Sequence, residues 1–228
     1  MNRSQMKHIY IFDLDDTLYC EHDYVKSGFK AVSNHLSQNY AEDSEIYEKW
    51  MVNFWQENGR GKVFDKLCQE FSISEEIQSL VDVYRAHIPG IELYSDAKKC
   101  LNHLKESRQS IGLITDGSTL TQWNKIKELQ LEKFIDTLIV SDDLGGSSYW
   151  KPHAKPYLEA AKQLGVDVSQ CCYVGDNPNK DFITAKKLGM KTVRIKREIG
   201  DHMNTLLADE YEADINISSL VELIEYDF

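Results

Sequence analysis

Three short apolar runs in this chain end in clusters of aspartate, threonine and glycine. The run 8–13, HIYIFD, ends in Asp13 and continues through Leu14 to Asp15, Asp16 and Thr17. The run 110–116, SIGLITD, ends in Thr115 and Asp116, before Gly117 and Ser118. The run 171–176, CCYVGD, ends in Gly175 and Asp176, and Asn177 and Asp181 follow. One such junction could be a helix cap, but three that converge on one edge call for another reason. Gathered carboxylates repel and raise each other's pKa unless a cation sits among them. Aspartates and backbone carbonyls are hard oxygen ligands that suit Mg²⁺. A carboxylate nucleophile beside Mg²⁺ points to phosphoryl transfer through an aspartyl-phosphate. A basic group must then balance the phosphate, and Lys151 in SSYWKPHAKP is the candidate.

Elements must bring these groups together. The runs 8–13, 110–116, 137–143, 171–176 and 191–195 are short and rich in β-branched and aromatic residues, as buried strands are. The weaker ADINI (213–217) is a sixth candidate. Helical stripes lie between them: Ala97, Leu101 and Leu104; Trp123, Ile126 and Gln130; Tyr157, Ala161 and Leu164 behind Pro156; and Phe182, Ala185 and Leu188 before Gly189. The alternation predicts an α/β fold, a doubly wound and mostly parallel sheet with helices on both faces. Ligands in such sheets sit beyond the carboxyl ends of the strands, where the aspartate clusters fall.

Residues 19–90 break that rhythm with four helical stripes and no clear strand. The stripes are Val25, Phe29, Val32 and Leu36; Ile46, Trp50 and Phe54; Val63, Leu67 and Phe71; and Ile77, Val81, Tyr84 and Ile88, the last after Ser74 as a candidate N-cap. Structureless loops of that length are rare in compact domains. The expected organisation is therefore a catalytic core of 1–18 and 91–228, with an all-helical cap of 19–90 inserted.

The chain has 228 residues, 26 basic and 37 acidic, for a net charge of −11. That sign argues against nucleic acid as a partner. No apolar run is long enough to span a membrane, and the N-terminus lacks the marks of a signal peptide. Five cysteines, an odd number without zinc spacing, fit reduced thiols in a cytoplasmic protein. Within 19–90, 7 basic residues stand against 12 acidic ones, so no broad basic surface awaits a polyanion.

The motifs also carry a resemblance. IFDLDDTL (11–18), LITDG (113–117), Lys151-Pro152 and GDNPNKD (175–181) occur in the order of the four motifs of the haloacid dehalogenase superfamily, and the chain resembles its phosphatases with a helical cap after the first strand. The resemblance implies a Rossmann-like core and roles residue by residue. Asp13 would be the nucleophile and a Mg²⁺ ligand. Asp15 would be the general acid and base, with its backbone carbonyl on the metal. Thr17 would steady Asp15 and the turn. Thr115 and Asp116 would hold the phosphoryl group, Lys151 would neutralise charge, Asp176 would ligate Mg²⁺, and Asp181 would support the metal site. Of the two lysines before proline, Lys151 is favoured over Lys155 because Tyr157 and Leu164-Gly165 keep the family's spacing after it. The expected substrate is a small phosphorylated metabolite, handled by a monomer or homodimer. Haloacid dehalogenation, phosphomutase transfer and a non-catalytic binding or regulatory module are the alternatives. Asp15 argues against the first of these, and no missing catalytic group argues for the last. Asp16, Asp142 and Asp143 read as caps or solvated loop carboxylates.

Overall fold

The structure is a computed structural model and describes residues 9–225. It divides into two compact units, one made of residues up to Glu21 together with those from Glu92 onward, the other of His22–Ile91.

The first unit is built on six strands: β1 (Ile9–Phe12), β2 (Ile111–Thr115), β3 (Thr137–Val140), β4 (Cys171–Gly175), β5 (Lys191–Ile195) and β6 (Ile215–Ile217). All pair in parallel, in the order β3-β2-β1-β4-β5-β6. The weakest sequence signal, at 213–217, thus does supply an edge strand. His8, which opens the first apolar run, lies outside the described residues. Every residue of β2 and β4 is buried, which explains why these runs are apolar without alternation: a parallel sheet covered on both faces has no wet side. One layer beside it contains Tyr157, Ala160, Ala161, Phe182 and Ala185 packed on Ile11, Ile114 and Tyr173. The helices of this unit are α5 (Ser95–Glu106), α6 (Thr119–Glu128), α7 (Lys155–Leu164), α8 (Phe182–Lys187) and α9 (Glu222–Glu225). The strand order reverses at β1, which runs between β2 and β4. A crevice opens beyond the strand ends at such a point, and there the three polar clusters become neighbours.

The second unit contains α1 (Glu21–Asn39), α2 (Ser44–Asn58), α3 (Val63–Glu70) and α4 (Ile77–Ala86). Val25, Phe29, Val32 and Leu36 of α1 form its centre as their spacing predicts. In α2 the buried face is Tyr47, Met51 and Trp55, one position on from the expected stripe. Ile46 is 44% exposed, while Trp50 and Phe54 are half-buried and stack on each other 5.1 Å apart. The segment is apolar at adjacent positions, so periodicity alone left two stripes open. Leu80 is the buried residue of α4, Ile88 lies beyond its end and is exposed, and Glu76, not Ser74, precedes its first turn.

Candidate active site

Asp13 follows the last residue of β1, and its backbone N–H still donates to the Val174 carbonyl at 2.8 Å, so the strand pairing fixes its position. Its side chain is buried, with Oδ1 accepting from Lys151 Nζ at 2.5 Å. Asp13 Oδ2 has no hydrogen-bond partner among the described residues. Lys151 also lies 2.9 Å from Asp181 Oδ1 and donates to Tyr173 Oη at 2.8 Å, entirely out of solvent. Its backbone N–H donates to Asp116 Oδ1 at 3.1 Å. The other oxygen of Asp181 accepts from the Asn177 N–H at 2.9 Å.

Asp13, Asp176 and Asp181 each present a carboxylate oxygen, and these three oxygens lie within 4.8 Å of one another. One buried lysine opposes three buried carboxylates. Burial pushes Asp13 up to about 7 against the pull of Lys151. Burial also pushes Asp176 well above the usual carboxylate range, with Asp181 and Asp13 adding repulsion. Three buried carboxylates that each bring an oxygen to one place are a hard all-oxygen donor set and fit a divalent cation such as Mg²⁺.

Asp15 occupies the turn after β1. Lys125 Nζ donates to its Oδ1 at 2.7 Å, the Tyr19 hydroxyl donates to the same oxygen, and Gln122 Nε2 donates to its Oδ2 at 3.0 Å. Burial would raise this carboxyl, but the Lys125 charge and these hydrogen bonds hold it down at about 2. Thr115 is buried at the end of β2, its hydroxyl accepting from Gln122 Nε2. Asp116, beside it, has Oδ2 3.4 Å from Lys180 Nζ. Thr17 is buried and its carbonyl accepts from Arg197 at 2.6 Å, yet its hydroxyl has no partner among the described residues. The Thr17 hydroxyl thus does not reach Asp15, whose carboxylate is held by Lys125, Tyr19 and Gln122. Asp13, Asp15, Asp116, Lys151 and Asp176 all line one cavity of about 190 Å³, with Lys180, Trp150 and His202.

A sequence model of the haloacid dehalogenase-like hydrolases matches residues 10–195. The chain belongs to that family. Among curated relatives it is 31% identical over 222 residues to a glyceraldehyde 3-phosphate phosphatase of Methanocaldococcus jannaschii, covering 94% of each chain. It is 29% identical to the enzyme so named in Pyrococcus furiosus, covering 95% of this chain and 91% of that one. Among solved structures, a haloacid dehalogenase-family phosphatase from Thermococcus onnurineus shares the fold with a TM-score of 0.63 at 23% identity, covering 96% of each chain.

Three neighbours of the cavity in this haloacid dehalogenase-like hydrolase escaped the sequence reading: Gln122, Lys125 and Lys180. The stripe expected for α6 was Trp123, Ile126 and Gln130, with Leu129 beside them. The helix ends at Glu128, however, and Gln130 is exposed in a left-handed conformation beyond it. The face turned inward is Gln122, Lys125, Ile126 and Leu129. Two polar residues three apart, in phase with two apolar ones, were the available signal. Lys155 takes no part in the cluster; its ammonium donates to the Leu144 carbonyl at 2.7 Å and lies 3.8 Å from the Tyr149 ring centre. Asp16 is a cap of unexpected burial, accepting from the N–H groups of Glu21 at 2.9 Å and Asp201 at 3.2 Å. Asp142 accepts from Trp150 Nε1 at 3.1 Å and Asp143 from Trp123 Nε1 at 2.9 Å, so both are structural.

Proposed function

We propose that this chain is a Mg²⁺-dependent phosphatase that hydrolyses a small phosphate monoester through an aspartyl-phosphate on Asp13. The observation that carries the reading is Asp13 itself: a buried carboxylate with one oxygen on Lys151, the other without a protein partner, and Asp176 and Asp181 beside it. An unpartnered, desolvated oxygen on a strand end is what a nucleophile needs. Asp13, Asp176 and the Asp15 carbonyl would hold the metal, with Asp181 in support. Bound there, Mg²⁺ supplies positive charge against the phosphoryl oxygens.

Asp13 Oδ2 attacks phosphorus and the ester P–O bond breaks. Asp15 hands a proton to the leaving oxygen. With Asp15 held ionised at about 2, that proton comes from a substrate arriving as the monoanion, since a phosphate monoester has its second pKa near about 6. In the second step Asp15 takes a proton from the water whose oxygen attacks phosphorus, the bond between phosphorus and Asp13 Oδ2 breaks, and inorganic phosphate leaves with that proton, so both carboxylates return to their starting state. Thr115 and Asp116 hold phosphoryl oxygens, through a hydroxyl and a backbone N–H, and Lys151 balances their charge. The setting is cytoplasmic; among the described residues no helix is long and apolar enough to cross a membrane.

The relatives make glyceraldehyde 3-phosphate the first compound to test. The assay measures phosphate release from it and from p-nitrophenyl phosphate, with and without Mg²⁺, beside chloride release from chloroacetate. The expected result is Mg²⁺-dependent phosphate release that disappears in Asp13→Asn. Chloride release without metal, or phosphate release that survives Asp13→Asn, overturns the reading.

A further inference from the structure

The inward face of α6 carries a glutamine and a lysine where the layer against a sheet is ordinarily apolar. Lys125 is 3% exposed and Gln122 is 1% exposed. Burying an ammonium group is costly unless it is paired, so this placement calls for a reason beyond packing. Both side chains end on one group. Lys125 Nζ reaches Asp15 Oδ1 at 2.7 Å, and Gln122 Nε2 reaches Asp15 Oδ2 at 3.0 Å. Gln122 Nε2 also donates to Thr115 Oγ1. Tyr19, four residues after Asp15, adds a third donor on Oδ1.

We propose that Lys125 and Gln122 are positioning residues for Asp15. One turn of α6 holds both of its carboxylate oxygens and sets them against the Thr115 hydroxyl. This deepens the phosphatase reading and rests on it for the kinetic part of the test. A single donor fixes where one oxygen lies but leaves the carboxylate free to turn about its Cβ–Cγ bond. Two donors on two oxygens, three residues apart on one rigid helix face, fix both place and rotation. Asp15 needs such external fixing because it sits in a turn beyond the sheet, where β1 no longer guides it. The bridge through Gln122 ties the proton-transferring group to the hydroxyl at the end of β2, so the two keep one geometry relative to the phosphate. Misplacement by about 1 Å can cost about 10²-fold in rate, so the clamp acts on turnover more than on binding.

The test compares Lys125→Met, Lys125→Arg and Gln122→Ala with the unmodified chain, on glycerol phosphate and on p-nitrophenyl phosphate. Lys125→Met lowers kcat on glycerol phosphate by about 10- to 100-fold and leaves KM within about threefold. Its loss on p-nitrophenyl phosphate, whose leaving group needs little proton help, is smaller. Lys125→Arg recovers part of the rate. In an Asp15→Asn background, adding Lys125→Met changes kcat by less than about twofold, because the residue acts through Asp15. Equal losses on both substrates, or losses that multiply with Asp15→Asn, would show a merely structural role. Should Lys125→Met not fold, Gln122→Ala carries the same comparisons. If the unmodified chain releases no phosphate from any substrate, the phosphatase reading fails by itself. The clamp is then decided by crystal structures of the unmodified chain and the variant. Asp15 changing rotamer or splitting between rotamers in Lys125→Met upholds it, and an unmoved Asp15 overturns it.

Discussion

Lys151 and Lys155 are both followed by proline, yet their ammonium groups reach different chemistry. Lys151 is buried against Asp13, Asp181 and the Tyr173 hydroxyl. Lys155, at the start of α7, reaches the Leu144 carbonyl and the face of the Tyr149 ring. The charge on Lys151 is held in place before substrate arrives, and both Asp13 and Asp181 keep it ionised against the effect of burial. Preorganised charge of this kind acts on the transferring phosphoryl group, and removing one such contact costs about 10²–10³ in turnover. Lys151→Ala therefore lowers kcat by that factor and raises KM, because phosphate capture loses its cation. Lys155→Ala leaves both within about twofold, since no site group depends on it, and at most lowers the melting temperature through the lost contact with Leu144. Parallel steady-state kinetics at saturating Mg²⁺, with thermal melts of both variants, checks this. Near-normal turnover in Lys151→Ala beside an inactive Lys155→Ala would reverse the two assignments. The spacing to Tyr157 made the choice legible, because that tyrosine is buried in the layer on β4 and its hydroxyl donates to the Asp181 carbonyl at 3.0 Å. A residue with a fixed place in the core dates the loop that precedes it.

Strand ends and helix phases differed in how openly the sequence displayed them. At the end of β4, Gly175 is required by contact: a Cβ built there would lie 2.5 Å from Asp181 Oδ2. That oxygen cannot retreat freely, since it accepts from the Asn177 N–H while its partner oxygen faces Lys151. Gly175→Ala should therefore push Asp181 off one of these two partners. Overpacking of this sort costs about 1–3 kcal/mol, so urea melts should show the loss, with phosphatase activity falling alongside. An alanine variant as stable and active as the unmodified chain would mean that the strand end yields more easily than its hydrogen bonds indicate. The pair Gly175-Asp176 was readable because it joins a wholly apolar run to a polar cluster, and so were Asp13, Thr115 and Asp181. Lys125 and Gln122 were not, because a polar residue in a helix ordinarily marks the wet side. In α6 the inner face ends on a carboxylate, so the usual sign of the pattern inverts where the helix meets the site. Phase in α2 was hidden for the opposite reason. Its run WMVNFW is apolar at neighbouring positions, and only packing against Val32, Leu36 and Leu67 decides that Met51 and Trp55, not Ile46, turn inward.

For the molecule as a whole, a net charge of −11 must be reconciled with an anionic substrate. The balance at the cavity is local. Asp13 and Asp181 face Lys151, with Asp176 beside the two carboxylates, Asp116 near Lys180 and Asp15 on Lys125. Without a cation the first group carries a surplus of negative charge when fully ionised, and folding must hold it together. Asp13 is raised to about 7 and Asp176 well above the usual carboxylate range, in each case by burial first, with neighbouring carboxylates adding to it. The unfolded chain titrates these groups near about 4. Between that value and about 7 the folded, metal-free chain keeps protons that the unfolded chain has lost, so stability falls as pH rises through the window. In the proposed reading Mg²⁺ would replace those protons as the neutralising charge, and any ligand that binds only the folded state stabilises it in proportion to its occupancy. The metal-free chain should therefore melt at a higher temperature near pH 5 than near pH 7.5. Adding Mg²⁺ should raise the melting temperature strongly at pH 7.5 and little at pH 5, where protons compete for the same carboxylates. Melts in EDTA and in excess Mg²⁺ across that range measure both effects. Asp176→Asn sharpens the result: it removes one buried charge, so the metal-free chain gains stability at pH 7.5 while the Mg²⁺-induced shift shrinks. A metal-free chain that is equally stable at both pH values, with no shift on adding Mg²⁺, would mean that Lys151 alone balances the cluster and that no divalent cation belongs there.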